Sequence, residues 1–315
     1  MILSYPSYYR EFACIAHRCR HSCCIGWEID IDEDSLKRYE ALPGPVGEYV
    51  RRGIDYTDTP HFRLAEGERC YFLRSDGLCQ MYRELGEAAL CQICTDHPRF
   101  RTFFPERTEI GLGLCCEEAA RMILSQKEPM GILRIGHGEK PESRQVRTAL
   151  RLRRQLIKLV QNRQEDIFHR LEEVLTYCRS AVTLPREQWA GFLRQLERLD
   201  TAWDAVLNRL DAAADTAGFA RHMAGRETEY EQLAAYFLYR HLLAGEDFGD
   251  IPARAAFAVW SVRLLWALGA AQWTETGEFT FADQVELARM YSSEMEYSEE
   301  NMSAVLSVLG GNPWG

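Results

Sequence analysis

Cysteine is nearly absent from the second half of this 315-residue chain: beyond residue 140 only Cys178 remains, while ten of the eleven cysteines lie between Cys14 and Cys116. The scarcity excludes thiol-organised chemistry from the C-terminal part and confines it to the N-terminal third. Long uninterrupted apolar runs are also lacking. The most apolar stretch, Ala255 to Trp273, is broken by Arg263 and Gln272, so a buried helix is expected there rather than a membrane span, which needs about 20 nearly uninterrupted apolar residues. The first residues carry no basic segment followed by an apolar one, so no secretory leader is expected and the location expected is cytoplasmic. Excess positive charge is missing too. The net charge is −10, split as −4 for 1–140 and −6 for 141–315, which disfavours generic nucleic-acid binding. There is no internal repeat and no low-complexity segment, and 46% hydrophobic with 27% charged residues is the balance of a globular protein.

Several motifs are missing as well. No cysteine pair is followed by the paired histidines of a zinc finger, and no Cys-x3-Cys-x2-Cys triplet occurs. Gly111-Leu112-Gly113 is only a fragment of a dinucleotide-type glycine loop, and a helix-entry turn is the better reading of it.

What is present divides the chain in two. Residues 1–135 read as a small, irregular α+β cysteine-rich domain and 141–315 as an α-helical bundle, giving a mainly α fold with a boundary near 127–141. Asp32 and Asp34 precede the periodic stretch Leu36 to Leu42, which predicts a capped helix ending at Pro43-Gly44. Arg69 to Tyr82 has apolar residues on both sides of Ser75-Asp76-Gly77 and predicts a β-hairpin that brings Cys70 and Cys79 together. Cys116, Ala119, Ala120 and Ile123 repeat at helical spacing. So do Ala149, Leu152, Leu156 and Leu159, and then Ile167, Leu171, Val174 and Cys178. Further helices are expected over 186–199, 202–213, 227–243, 254–271, 281–292 and 299–309, with Pro185, Gly225, Gly245, Pro252 and Gly277 in the gaps.

The metal-ligand candidates are Cys14-x4-Cys19-x3-Cys23-Cys24, Cys70-x8-Cys79, Cys91-x2-Cys94 and Cys116, with Cys115 beside it. Thiolates two to four residues apart can converge on one ion or cluster, and several such units within about a hundred residues point to a metal site. Adjacent side chains diverge in regular structure, so Cys23 and Cys24 are not expected to share one small ion. Two centres, or one centre with several structural thiols, fit the count. All-thiolate ligation suits zinc and iron–sulfur clusters alike. His17, His21 and His97 lie next to the cysteines and read as surface or supporting imidazoles. Buried free thiols are the plain alternative for the constellation, and for Cys178, which continues an apolar stripe, that alternative wins.

The segments Phe12-x-Cys14-x4-Cys19-x3-Cys23-Cys24-x-Gly26-Trp27-x-Ile29-x-Ile31-Asp32, Cys70-x-Phe72-Leu73-x2-Asp76-Gly77-x-Cys79, Cys91-x2-Cys94-x3-Pro98-Arg99 and Cys116-x2-Ala119-Ala120-Arg121-x-Ile123-Leu124 resemble the flagellin lysine N-methylases. The first three also resemble a broader group of zinc- or iron-chelating cysteine-rich domains. Tyr230–His241, the arginine-rich 147–163 and Glu294–Asn301 are similar in character to the same family. Cys116-Glu117-Glu118 departs from the Cys-Pro-Glu expected there, and Cys115 is an additional thiol. The resemblance implies S-adenosylmethionine-dependent methylation of lysines on flagellin, a bacterial flagellar protein. It also implies a cysteine-bound centre, with a 4Fe–4S iron–sulfur cluster favoured over zinc.

The residues alone assign no catalytic group. Tyr8, Tyr9, Glu28, Asp30, Tyr39 and Tyr82 lie near the cysteines in sequence and could take a proton from a lysine, although a solvated or structural role suits each. Arg99, set after Pro98 beside Cys94, is the candidate contact for the carboxylate of the methyl donor or for an anionic cluster, and an ion pair with a nearby acid that holds the fold is the equal alternative. No nucleic-acid or membrane partner is expected. A non-catalytic zinc- or iron-binding module whose helical domain binds a protein is the competing function, and thiol redox chemistry ranks third.

Overall fold

A computed structural model describes residues 1–138, 142–245 and 248–309. The fold is mainly α, and the chain separates into two compact units. One consists of Ala13–Phe100 with Cys116–Glu118; the other takes Met1–Phe12, Arg101–Cys115 and the chain from Ala119 onward. This division differs from the expected boundary near 127–141, of which residues 139–141 lie outside the described residues. The reason is strand pairing. Strand Ile2–Pro6 runs parallel to Arg107–Leu112, with Ile2 opposite Arg107, and antiparallel to Ile132–Ile135, with Pro6 opposite Ile132. Those backbone ladders tie the first residues and the 101–115 segment to the helices that follow. Strand Arg99–Phe104 completes this four-stranded sheet at one edge.

In the helical unit, apolar stripes set the faces that pack. Helix Arg144–Val160 starts at Ser143, whose side chain accepts the Val146 N–H, and it buries Val146, Ala149, Leu150, Leu156, Ile157 and Val160. Helix Ile167–Cys178 is capped by Asp166 and ends at Arg179 in the left-handed conformation. The 26-residue helix Ile251–Thr276 is apolar on all sides, with mean hydropathy 1.3 over its best window, and 67% of that window is buried. It packs against helices Glu227–His241, Ile167–Cys178, Phe281–Glu296 and Glu299–Leu309. An all-round apolar helix needs such a coat, and each fully buried Leu on it contributes roughly 1.5–3 kcal/mol. Gly269 lets the Phe219 and Phe279 rings come close: a Cβ there would meet each at 3.0 Å.

Three helical expectations need correction. Residues 186–199 form only a single 3-10 turn and the short helix Trp189–Leu193. Pro252 is not in a gap but in the first turn of its helix, where its missing N–H costs nothing. Helix Thr216–His222, started by Asp215, was not anticipated.

The cysteine unit is smaller. Helix Glu33–Ala41 is capped as expected by Asp32, but Pro43-Gly44 opens a second helix, Gly44–Arg52, instead of a loop. Strands Ile29–Asp30, His61–Phe62 and Ile54–Asp55 form a three-stranded sheet, and Leu64–Ala65 pairs with Arg69–Cys70. The expected hairpin over Cys70–Cys79 is a tight turn without long arms. Asp76-Gly77 makes the turn, a single bridge joins Leu73 to Cys79, and helix Gln80–Leu85 follows at once.

Candidate metal centre

The apolar core of the cysteine unit is built from Ile29, Ile31, Tyr39, Val50, Ile54, Phe62, Phe72 and Met81, and two thiols, Cys70 and Cys91, are buried within it. Cys24, Cys79 and Cys94 pack against the same core. Each is placed by local backbone. The Cys70 N–H donates to the Cys24 carbonyl at 2.8 Å, which pins the 22–25 turn to strand Arg69–Cys70. Cys79 starts helix Gln80–Leu85, and Cys91 starts helix Gln92–Asp96. Cys94 follows Cys91 at helical i, i+3 spacing, which puts both on one face. The Asp32 carboxylate fixes this turn from outside: Oδ1 accepts Ser35 N–H at 2.9 Å and Oδ2 accepts Gln92 N–H at 2.8 Å.

The thiols of this group interact. Cys94 donates a hydrogen bond to Cys91, which holds Cys91 toward thiolate and keeps the proton on Cys94. Burial pushes the Cys70 thiol up to about 12, and negative charge at Cys24, Cys79 or Cys91 would push it further. Burial likewise raises Cys79, with Cys24 and Cys91 adding to the effect. Five thiols therefore border one apolar core.

A second group lies in the same unit. Cys19 Sγ donates to the His21 carbonyl at 3.1 Å and approaches Glu117 Oε2 at 3.7 Å, while the Arg20 backbone and side chain bind Glu117 at 2.9 and 2.8 Å. That staple brings Cys116 to the 14–23 loop, and the charges of Cys14 and Cys116 both act on Cys23. The Trp27 indole N–H holds the Cys23 carbonyl at 2.9 Å. Cys23 and Cys24 sit in a turn, not in a helix or strand, so their side chains do not diverge as expected: Cys23 donates to Cys24 and draws Cys24 down to about 7.

All nine expected ligands, Cys14, Cys19, Cys23, Cys24, Cys70, Cys79, Cys91, Cys94 and Cys116, thus fall in the cysteine unit, and none of the nine is in a disulfide. Cys115 falls in the other unit, where Tyr297 hydrogen-bonds to it. Cys178 is a buried helix-end thiol, pushed up to about 11 by burial. Among the described residues no three His, Cys, Asp or Glu side chains stand close enough to hold one metal ion. Tetrahedral zinc would draw its sulfurs to about 3.8 Å apart, and here sulfurs meet in pairs. The donor set, soft, thiol-only and walled by apolar side chains, fits a thiolate-held cluster in its chemistry.

The other candidates are placed differently. His97 is held neutral, with burial and the Arg99 charge taking it down to about 4. Arg99 donates to the Thr95 carbonyl at 3.2 Å. The Tyr39 hydroxyl donates to the Ala89 carbonyl at 2.7 Å, Tyr8 is buried, and Tyr82 is exposed. Glu28 and Asp30 line an acidic hollow of about 430 Å³ with Asp55, Asp58 and His61. Gly111 and Leu112 end strand Arg107–Leu112 and do not form a helix-entry turn.

Sequence reasoning missed a buried polar network in the helical unit. The Tyr236 hydroxyl contacts both Glu296 oxygens at 3.0 Å, Arg240 Nη1 donates to Tyr236 at 2.7 Å, and His241 Nε2 contacts Glu296. The Leu114 N–H also reaches the Tyr236 hydroxyl, at 3.3 Å. The signal for it was the family-like character of Tyr230–His241 and Glu294–Asn301, the two segments that the network joins.

Comparison with known proteins bears on the same helical region. Residues 180–312 match the FliB lysine N-methylase C-terminal domain. The chain is 26% identical over 135 residues to a lysine-N-methylase of Salmonella typhimurium, covering 40% of this chain and 33% of that protein. It is 25% identical over 135 residues to the flagellar biosynthetic protein FliU of Salmonella muenchen, covering 40% of this chain and 79% of that one. The matched part therefore spans about a third of the length of the first of these relatives. No solved structure matches. Over residues 180–312 the chain is thus similar to the lysine N-methylase C-terminal domain, and its relatives carry the names lysine-N-methylase and flagellar biosynthetic protein.

Proposed function

We propose that the chain is a cytoplasmic protein-lysine N-methyltransferase that acts on flagellin, takes its methyl group from S-adenosylmethionine, and carries a metal centre on Cys24, Cys70, Cys79, Cys91 and Cys94. The observation that carries this reading is the match of residues 180–312 to the lysine N-methylase C-terminal domain. The grouping of five thiols around one core supports the metal centre, and thiol-only donors suit an iron–sulfur cluster.

The reaction sets clear demands. A lysine amine attacks only when neutral; its nitrogen bonds to the methyl carbon as the carbon–sulfur bond breaks, the sulfonium leaves as a thioether, and one proton passes to a base. When bound, the metal centre supplies folding free energy to a unit whose own apolar core is small. Arg99, which follows Cys94 by five residues, is the proposed contact for the donor's carboxylate. The test is direct: anaerobically purified protein, S-adenosylmethionine and flagellin from the same organism are combined, and flagellin lysines are examined by mass spectrometry. Methylated lysines are expected. Unmodified flagellin in the presence of metal-loaded protein contradicts the reading.

A further inference from the structure

Helix Arg144–Val160 contains no Asp or Glu. Along it Arg144, Arg147, Arg151, Arg154 and Lys158 recur at alternating steps of three and four residues, and all five are exposed. At 3.6 residues per turn they fall within an arc of about 80° and extend for about 21 Å along the axis. A chain whose net charge is −10 thus carries an unbroken cationic stripe on one helix face.

The stripe works against the stability of its own helix. Like charges three or four residues apart repel on a helix surface, and every step of the stripe is such a pair. Arg144 and Arg147 also stand in the N-terminal turn, where the helix dipole disfavours cations and no acid offsets them. A face kept soluble by charge alone would mix the signs and gain from i, i+4 pairs. Among the described residues none of the five is in an ion pair. Arg147 donates to the Glu142 carbonyl at 2.6 Å and Arg154 to the Leu150 carbonyl at 3.4 Å, both backbone partners. Nearby acids are engaged elsewhere: Glu142 holds Arg107 at 2.7 Å, Glu109 holds the buried Arg153 of this same helix, and Glu172 holds Arg263.

Beside the stripe lies a hollow of about 530 Å³ lined by Ala149, Leu152, Phe248 and Ile251, with Arg144 on its wall. We infer that this face docks the protein substrate: an acidic helix of the substrate lies along the stripe, and one of its apolar side chains enters the hollow. The identity of the occupant rests on the proposed lysine methylation. Four of the five cations are Arg, whose planar fork takes a carboxylate through two parallel bonds. Their helical spacing matches carboxylates that repeat at the same step on a partner helix. A concave apolar site receives a side chain that protrudes from a folded partner. A bilayer surface needs the reverse, and helix Arg144–Val160 exposes no large apolar side chain. A nucleic-acid duplex is opposed by the net charge of −10. Because the stripe repels lysines, it holds the substrate by a part other than the residue to be modified.

Biolayer interferometry tests the surface: purified flagellin from the same organism is bound to the full chain at low and moderate salt, with anionic vesicles and duplex DNA as separate arms. Saturable flagellin binding that weakens with salt is expected, and at least a tenfold loss in the triple variant Arg147→Glu, Arg151→Glu, Arg154→Glu. Flagellin binding that is absent, or equal in the variant, overturns the docking surface; vesicles or duplex alone binding through the stripe overturns its occupant. The triple variant Arg147→Gln, Arg151→Gln, Arg154→Gln separates docking from folding. It relieves the repulsion, so its melting temperature should equal or exceed that of the unmutated chain while flagellin binding still falls. A lower melting temperature would make the stripe structural and overturn the inference. Flagellin bound through the stripe but not methylated contradicts the methyltransferase reading and leaves the dock; methylated flagellin with undiminished binding in the variants does the opposite.

Discussion

Glu109 and Arg153 are each only 2% exposed, and the guanidinium meets the carboxylate through two contacts of 2.6 and 2.7 Å. Two charges so deep in a protein survive only as a pair, and removing one member leaves the other buried without compensation. Glu109→Ala is expected to destabilise the helical unit by about 3–5 kcal/mol in urea denaturation; a loss below about 1 kcal/mol would show that Arg153 finds another anion. His241 offers a pH test. Burial, with the charges of Arg240 and Arg254, lowers its pKa, and Glu296 opposes them without winning. An imidazole whose folded pKa lies below its unfolded value of about 6.5 binds fewer protons in the native state. Its contribution is complete above about pH 6.5 and is lost as the pH falls below that. Stability measured from pH 7 to 5 should therefore slope downward, and His241→Gln should flatten the slope; an unchanged slope in the variant contradicts the assignment. None of this was legible beforehand. Arg153 and Glu109 are far apart in sequence, and His241 looked like one more residue in an aromatic stretch.

At the scale of elements, Asp32 does double work. One oxygen caps helix Glu33–Ala41 and the other holds the first N–H of helix Gln92–Asp96, which carries Cys94. Asp32→Ala should cost about 2 kcal/mol, a lost cap plus a lost charge-assisted hydrogen bond, and should loosen the Cys91–Cys94 turn, seen as faster alkylation of those two thiols. Unchanged reactivity at Cys91 and Cys94 would confine Asp32 to the first helix. The cap at Asp32 was readable because an acid before a periodic stretch is a local signal. The second bond was not, since it spans 60 residues. The same distinction explains the fold. Long helices such as 144–160, 167–178 and 281–296 announced themselves through their stripes. The sheet of Ile2–Pro6, Arg107–Leu112 and Ile132–Ile135 did not, because non-local pairing leaves no periodic trace in any one segment. The Asp76-Gly77 turn was read correctly, but its arms were overextended: the bridge at Leu73 and Cys79 leads straight into helix Gln80–Leu85.

For the whole molecule, order and spacing of the cysteines named the thiols that gather in one unit, and the same spacings left their partition open. Residues 116–118 join the cysteine unit by way of Glu117 and Arg20, a contact across nearly a hundred residues that no spacing rule could supply. The helical unit contains the family-matched residues 180–312, and its buried network ties Tyr236, Arg240 and His241 to Glu296. The central proposal is that this chain methylates lysines and does so as a thiolate-metal protein. The most direct measurement is the lysine methylation of flagellin, by mass spectrometry, after incubation with S-adenosylmethionine and the anaerobically purified chain, with the Cys91→Ser, Cys94→Ser variant alongside. Methylated lysines with the unmutated chain and at least a tenfold loss with the variant are predicted. Unmodified flagellin with the metal-loaded chain, or equal methylation by both proteins, would contradict the account.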